Sequence, residues 1–137
     1  MQNAKKDTIV SFNVLVCDDS SLARKMAIKS LPSGFAEHVF QAANGTEGME
    51  VLMQTRMDLL LLDLTMPEMD GVAVLEAIKA QGIEVFVIVV SGDIQPQMRE
   101  KVLSLGALDF LPKPVSQAAL QKVLERYGFI LTEALAG

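Results

Sequence analysis

Two segments of this chain, residues 59–62 and 85–90, contain only apolar residues and are as long as a β-strand. A strand that is apolar at every position, rather than at every second one, is typical of a parallel sheet with helices on both faces. Shorter apolar segments lie on either side of these two. Together they predict five strands, at about residues 13–17, 38–42, 58–62, 85–90 and 109–111.

A helical pattern follows each predicted strand, with apolar residues recurring every three or four positions. We expect these stripes to face the core, at residues 22–27, 49–53, 74–78, 98–105 and 120–127. Ser20 or Asp19 is suited to cap the first helix, and Gly82 and Gly106 stand where left-handed residues commonly end helices. Five βα units with right-handed crossovers predict an α/β fold, a doubly wound open sheet in one domain.

The composition argues against several classes of function. The net charge of -5 disfavours nucleic-acid binding, which needs clustered basic residues to neutralise phosphates. No apolar run is long enough to span a membrane, and residues 1–7 lack the apolar segment of a signal peptide, so we expect a soluble, cytoplasmic protein. Cys17, the single cysteine, is interpreted as an inert buried thiol. His38 is expected to be exposed at a strand end. Because it is the single histidine, a histidine-based metal site is excluded.

Chemically active groups follow four of the predicted strands. Asp18 and Asp19 end the first, Asp63 and Ser91 end the third and fourth, and Lys113 follows the fifth. Because ligands of such sheets bind at the carboxyl ends of the strands, we expect these groups to meet. Three adjacent carboxylates repel one another unless a cation is present, and Mg²⁺ favours such oxygen ligands. Taken singly the acids also suit helix caps and turns, but a metal, a nucleophilic carboxylate and a lysine together suit phosphoryl transfer.

With these positions in place, the chain resembles the receiver domain of two-component response regulators, including the single-domain receivers of chemotaxis. The resemblance covers about residues 12–127. It implies a flavodoxin-like three-layer fold with a five-stranded parallel sheet of order 2-1-3-4-5. It rests on five segments at the family's order and spacing: 14–20 (VLVCDDS), 43–48 (ANGTEG), 62–71 (LDLTMPEMDG), 90–92 (VSG) and 106–114 (GALDFLPKP).

The resemblance implies that Asp63 is the phospho-acceptor. It also implies a Mg²⁺ site in which Asp19 is a direct ligand and Asp18 acts largely through bound water. Asp63 itself and the backbone carbonyl of Thr65 would complete the protein ligands of the metal.

The resemblance assigns three further residues to the phosphoryl group and to the switch. Ser91 would bond a phosphoryl oxygen, and Lys113 would pair with the phosphoryl group or, in its absence, with Asp63. The Lys113–Pro114 bond resembles the family's cis peptide. Phe110 occupies the aromatic switch position, where many relatives have tyrosine; an ordinary core aromatic is the alternative.

The implied function is a signalling switch rather than a metabolic enzyme. A histidine kinase or phosphotransfer protein would supply the phosphoryl group, and the receiver would catalyse only its own phosphorylation and slow dephosphorylation. Phosphorylation would alter a face made of helix 4, strand 5 and helix 5, which binds a target or, when phosphorylated, a second copy of the chain. We expect a stand-alone receiver over 12–127 with an extension at 1–11 and a tail at 128–137; a receiver from a longer regulator is the alternative.

Two other classes of function compete with the receiver. A phosphatase of the haloacid dehalogenase type also has an aspartate nucleophile, but in an Asp-x-Asp arrangement after the first strand and under a cap domain. A flavodoxin-like cofactor binder needs a phosphate-binding loop after that strand, where Asp18 and Asp19 would repel the phosphate.

The tail carries an apolar cluster, Phe129, Ile130 and Leu131, where solvated polar residues are expected. Each side chain left exposed would forfeit roughly 1.5–3 kcal/mol of burial free energy. We expect the tail to cover the face of the fourth and fifth helices or to meet a partner there; a strap over the core is the alternative.

Overall fold

The computed structural model describes residues 11–92 and 95–130. Strands and helices alternate throughout this part of the chain. The strands are β1 (Phe12–Cys17), β2 (Ala36–Ala42), β3 (Leu59–Leu62), β4 (Phe86–Ser91) and β5 (Asp109–Pro112). The helices are α1 (Ser21–Ser30), α2 (Gly45–Gln54), α3 (Gly71–Gln81), α4 (Pro96–Ser104) and α5 (Gln117–Arg126). All five predicted strands are present, with bounds that differ by at most two residues.

The five strands form one parallel sheet in the order β2-β1-β3-β4-β5. This order and the alternation of strands with helices confirm the predicted flavodoxin-like, doubly wound fold. The chain moves outward in one direction from β1 to β2 and in the other direction from β3 to β5. The crevice outside the carboxyl ends of β1 and β3 is therefore the place where this topology puts a ligand site.

The continuous apolar runs fill two cores, one on each face of the sheet. Leu60 and Leu62 of β3 pack with residues of α2, α3 and α4, whereas Leu59 and Leu61 pack with residues of α1 and α5. Successive side chains of a strand point to opposite faces, so a strand buried on both sides must be apolar at every position. The three-layer arrangement follows directly from the run of four leucines.

Side chains cap four of the five helices at their amino ends. Ser20 caps α1, and its Oγ accepts a hydrogen bond from the Ala23 N–H at 3.1 Å. Asp70 caps α3 in the same way and therefore lies outside the acidic cluster described below. Gly82 ends α3 in the left-handed conformation with φ 68°, as predicted. Gly106 also has a positive φ, but it lies one residue beyond the cap of α4.

The prediction that whole helical stripes face the core was wrong in part. Val74, Leu75 and Ile78 of α3 are buried, as predicted. In contrast, Leu22 and Met26 of α1 are 66% and 40% exposed, and Met53 of α2 is 61% exposed. A helix covers the sheet with one narrow face, so the apolar residues at the edge of a stripe point past the sheet into solvent.

Phe129 packs at the amino end of the sheet and not on the face of α4 and α5. Its ring forms edge-to-face contacts with Phe12 and Phe86, both at 5.4 Å between centroids, and lies 6.2 Å from the ring of Phe35. The expected position over α4 and α5 was therefore wrong for this residue, which acts as a strap over the core of α1 and α5. Leu131 and the rest of the predicted tail lie outside the described residues, as do residues 1–10 of the predicted extension.

Within the described part of the chain, none of the helices combines the length and the apolar character that crossing a membrane requires.

Candidate functional site

Three carboxylates meet in the crevice outside β1 and β3. Asp18 and Asp19 follow β1 and Asp63 follows β3, and one carboxylate oxygen of each lies within 4.8 Å of the others. Asp18 and Asp63 are buried, whereas Asp19 is exposed. The structure thus brings together the three acids that the sequence places at strand ends.

Lys113 enters this cluster from the loop after β5. Its Nζ lies 2.7 Å from Asp18 Oδ2 and 3.3 Å from Asp63 Oδ1, so the lysine contacts both buried acids. The Lys113–Pro114 peptide bond is cis. The backbone N–H of Lys113 donates to the carbonyl of Ser91 at 2.9 Å, which ties the end of β5 to the end of β4.

Burial and mutual charge set the protonation of these groups. Burial raises the pKa of Asp63, and the Asp18 charge raises it further, so that the opposing effect of Lys113 is outweighed. Burial alone would lower the pKa of Lys113, but its hydrogen bond to Asp18 and the charge of Asp63 leave it raised. The lysine therefore stays protonated at neutral pH, and the acids lack enough positive charge to offset their repulsion.

The other predicted site residues, Thr65, Ser91 and Phe110, differ in burial and in their contacts. The backbone N–H of Thr65 donates a hydrogen bond to the Asp63 carboxylate, while the Thr65 side chain is exposed. Ser91 is buried at the end of β4. Phe110 is also buried and belongs to the core on the α2, α3 and α4 side of the sheet. The side chain of Phe110, the predicted switch residue, therefore points inward in this structure.

The loop between β3 and α3 is held close to Asp63 by backbone contacts. The Gly71 N–H donates to the Leu64 carbonyl at 2.9 Å, and a Cβ at Gly71 would lie 2.8 Å from Leu64 Cα and still closer to the Asp63 carbonyl oxygen. A second loop joins this one, because the Gly45 N–H donates to the Met69 carbonyl at 3.2 Å. Only a residue without a side chain allows α3 to start this close to Asp63.

The sequence analysis missed Arg24, which contacts the acidic loop from α1. Its Nη1 donates to the backbone carbonyl of Asp18 at 2.7 Å, and its Nε donates to Gln41 Oε1 on β2 at 2.8 Å. A basic residue one turn after a helix cap commonly points to solvent, so the local pattern carries no signal for this contact. Only the position of β2 beside β1 creates the second acceptor.

A second missed group lies on the α4, β5 and α5 face. The buried carboxylate of Asp109, at the start of β5, accepts a hydrogen bond from Arg126 Nη1 of α5 at 2.9 Å. Arg99 Nη2 of α4 lies 3.7 Å from its other oxygen, which also accepts the Phe110 N–H. Asp109 thus connects both helices of this face to the strand that carries Phe110.

The single cysteine and the single histidine are distinct from the acidic cluster. Cys17 is buried, and burial is the main cause that raises the pKa of its thiol to about 12, so the thiolate is disfavoured. His38 is exposed and lies 3.8 Å from the Glu37 carboxylate. It lies within β2, the edge strand, rather than at the beginning of a strand as predicted.

An apolar groove of about 290 Å³ opens beside the acidic cluster. Leu22 and Met26 of α1 and Val115 of the β5–α5 loop line one part of it, and Asp63 and Lys113 line another. The exposed apolar residues of α1 therefore line the same groove as the Asp63 carboxylate.

The donor set fits a hard divalent cation. Three carboxylates can offer oxygen ligands to one point, and the backbone carbonyl of Thr65 follows Asp63 by two residues. Mg²⁺ binds through one or two carboxylates and retains several waters, which suits a cluster that is open on the side of Asp19. The residues present therefore fit Mg²⁺ better than a softer metal, because neither cysteine nor histidine contributes to the cluster.

Comparisons with known proteins agree with this geometry. The chain is 34% identical over 122 residues to the chemotaxis protein CheY of Treponema pallidum, covering 88% of this chain and 83% of that one. It is 38% identical over 86 residues to the "Probable C4-dicarboxylate response regulator DctR" of Bacillus subtilis, covering 63% of this chain and 38% of the relative. The chemotaxis response regulator CheY4 of Vibrio cholerae superposes with a TM-score of 0.76 at 27% identity, covering 85% of this chain and 98% of that structure.

The regulators that resemble this chain differ in length. The chain spans about half or less of several of them, among them DctR of Priestia megaterium, of which it covers 52%. What these longer proteins share with this chain is one domain. The sequence profile of the response regulator receiver domain matches residues 14–125, which is most of the chain. This protein therefore belongs to the response regulator receiver domain family of two-component systems.

Proposed function

We propose that this receiver takes a phosphoryl group onto Asp63 from a sensor histidine kinase or a histidine phosphotransfer protein. The receiver domain would extend over residues 12–127. The observation that carries the proposal is the position of the buried Asp63 carboxylate, which lies next to two other acids and 3.3 Å from the Lys113 ammonium. A nucleophile, a place for a cation and a fixed positive charge are the parts that phosphoryl transfer needs.

The roles of the residues follow from these contacts. A carboxylate oxygen of Asp63 forms the new bond to phosphorus while the bond from phosphorus to the donor nitrogen breaks, and the imidazole leaves with the electron pair. Lys113 neutralises charge on the transferred group, and the Ser91 hydroxyl bonds one of its oxygens. Asp19, Asp63 and the Thr65 carbonyl would hold Mg²⁺, with Asp18 acting largely through bound water, and the ion would supply charge stabilisation for the phosphoryl oxygens.

A direct labelling experiment tests the acceptor. Incubation with acetyl phosphate and Mg²⁺ should add one phosphoryl mass to the intact chain, and Asp63→Asn should abolish the addition. Asp58→Asn is the matched control, because Asp58 precedes the same strand at its opposite end and accepts a bond from the Asn13 N–H. Full labelling of the Asp63 variant would refute the assignment. Continuous turnover of the phosphodonor without a labelled chain would favour the phosphatase alternative.

The groove beside Asp63 supports a protein donor rather than a small molecule as the physiological source. An apolar helix of a kinase or phosphotransfer protein would bury Leu22 and Met26, which are exposed in the isolated domain. Burial of exposed apolar side chains next to the acceptor would align the donor histidine with Asp63.

Two phosphodonors separate this docking role from the chemistry. Met26→Ser should slow transfer from a phosphorylated kinase about tenfold or more. A tenfold change corresponds to about 1.4 kcal/mol, roughly the free energy lost with one buried apolar contact. Labelling by acetyl phosphate should stay unchanged, since that donor does not use the groove. Met53→Ser is the control, because Met53 is also an exposed methionine but lies on α2. An equal effect on both donors would place the defect in the site and not in docking.

The face of α4, β5 and α5 is proposed as the surface that reads the phosphorylated state. Asp109 links both helices to β5 next to Phe110, so a movement of Phe110 would be transmitted to both. The partner of this face would be a target protein or a second copy of the chain. Sedimentation with and without beryllofluoride would show whether association of the chain with itself depends on the phosphoryl mimic.

A further inference from the structure

The guanidinium of Arg24 bridges two strands at the loop that carries the acids. Nη1 donates to the carbonyl oxygen of Asp18 at 2.7 Å and Nε donates to the Gln41 side chain at 2.8 Å. Arg24 is in the first turns of α1, and its own N–H donates to the Ser20 carbonyl at 3.0 Å. The side chain therefore reaches back over the loop from a rigid helix and is held there by β2.

The carbonyl that Arg24 contacts belongs to the peptide group that joins Asp18 to Asp19. A peptide group is planar, so a fixed carbonyl oxygen fixes the plane and removes freedom from both flanking residues. The preceding peptide is held separately, because the Asp18 N–H donates to the Ala42 carbonyl at 3.0 Å. Asp19 is exposed, so the direction of its carboxylate depends on the backbone that carries it.

We infer that Arg24 is a positioning residue for the metal site. It holds the Asp18–Asp19 peptide in the orientation that turns both carboxylates toward Asp63, and it thereby sets the affinity of the site for Mg²⁺. The inference rests on the proposed function in one respect, namely that the acidic cluster is the Mg²⁺ site. Residues that orient metal ligands typically contribute 10–100-fold to affinity.

Titration of the unphosphorylated chain with MgCl₂ in a calorimeter tests this role without any phosphodonor. Arg24→Ala should weaken Mg²⁺ binding about tenfold. Lys25→Ala is the matched control, because it removes the same charge from the next, exposed position of α1 and should change the affinity less than about twofold. Gln41→Ala removes only the contact that holds the Arg24 guanidinium, so its Mg²⁺ affinity should lie between those of Arg24→Ala and Lys25→Ala.

Arg24→Lys separates position from charge. Lysine retains the positive charge but lacks the planar fork that reaches two acceptors, so we expect at least a threefold loss of affinity, roughly as for other bidentate arginines. Circular dichroism melts of each variant show that the comparison is made on folded protein; Arg24→Lys and Gln41→Ala serve in place of Arg24→Ala if that variant does not fold.

Two results would overturn the inference. Equal Mg²⁺ affinities of Arg24→Ala and Lys25→Ala would show that the contact has no role in the site. Wild-type affinity of Arg24→Lys would show that charge alone matters. If the proposed function is wrong, the wild-type chain will take no phosphoryl group from acetyl phosphate. If only the inference is wrong, the chain will be labelled normally and the Mg²⁺ affinities will give one of the two results above.

Discussion

The ammonium of Lys113 lies closer to the carboxylate of Asp18, at 2.7 Å, than to that of Asp63, at 3.3 Å. The resemblance to receivers implied a pair of Lys113 with Asp63 when no phosphoryl group is present, and the structure contains this contact. The lysine also contacts Asp18, so it bridges the acids of two strands. A single positive charge thus holds together the carboxyl ends of β1, β3 and β5.

Replacement of this lysine should affect both acids. In Lys113→Ala the pKa of Asp63 should rise further, because an attractive charge is lost while burial and the charge of Asp18 remain. Labelling by acetyl phosphate should fall at least about tenfold, as expected when a preorganised charge at a transferred group is removed. The rate of mass addition measures this effect. Lys101→Ala, an exposed lysine of α4, should label like the wild type; a normal rate in Lys113→Ala would contradict the role.

The raised pKa of Asp63 predicts a pH-dependent gain of stability in Asp63→Asn. Because the folded-state pKa lies above the ordinary value of 3.8, the ionised carboxylate costs stability once the pH rises through the folded-state pKa. At pH 7 without Mg²⁺, the variant should therefore melt higher, by roughly 3–5 °C for each 1 kcal/mol gained. Below the unfolded-state pKa the carboxyl is protonated in both states, and the gain should disappear. A gain that is the same at pH 3 and pH 7 would contradict this cause.

A side chain at Gly71 should disturb the loop that follows Asp63. In Gly71→Ala the new Cβ would lie 2.8 Å from Leu64 Cα, and backbone atoms cannot yield without moving α3 away from β3. We expect a loss of about 2–3 kcal/mol in the free energy of unfolding, measured by urea denaturation. Gly92→Ala is the control, since within the described part of the chain a Cβ at Gly92 would meet no atom within 4 Å apart from its chain neighbours. Equal stabilities of the two variants would show that the loop adapts.

The bridge from α5 to β5 should contribute to stability although Arg126 is largely exposed. Arg126→Ala leaves the buried Asp109 carboxylate with the Phe110 N–H and with Arg99 at 3.7 Å. We expect a loss of about 1–2 kcal/mol, because a buried charge loses its closest partner. Lys122→Ala removes an exposed lysine from the same helix and should cost less than about 0.5 kcal/mol. Indistinguishable denaturation midpoints would mean that solvent replaces Arg126 without cost.

The strap formed by Phe129 should act on stability and not on association. Phe129→Ala removes contacts with the rings of Phe12, Phe35 and Phe86 and should cost about 2–3 kcal/mol, somewhat less than a fully buried phenylalanine. Met53→Ala, on an exposed apolar residue, is the control. Sedimentation should give the same mass for the variant and the wild type in the presence of beryllofluoride. A mimic-dependent change in mass would restore a regulatory role for this residue.

The pattern of apolar residues along the sequence determines the fold. Four consecutive leucines at 59–62 require a strand covered on both faces, and that requirement leads to parallel strands, crossover helices and one reactive edge. Asp18, Asp19, Asp63 and Lys113 could be placed at this edge from their positions after the strands alone. The signal is strong because it depends on the periodicity of the apolar residues and on the order of the segments along the chain, and both can be determined from the sequence.

Only the tertiary structure decided how these groups meet. Three contacts join residues that lie on different elements. Lys113 lies closest to Asp18, Arg24 donates to the Asp18 carbonyl, and Phe129 packs against three other phenylalanines. The same holds for the exposure of Leu22 and Met26, which depends on how α1 lies across the sheet. Periodicity predicts which residues form a helix and which face is apolar, but the distance between two side chains depends on the packing of the elements that carry them.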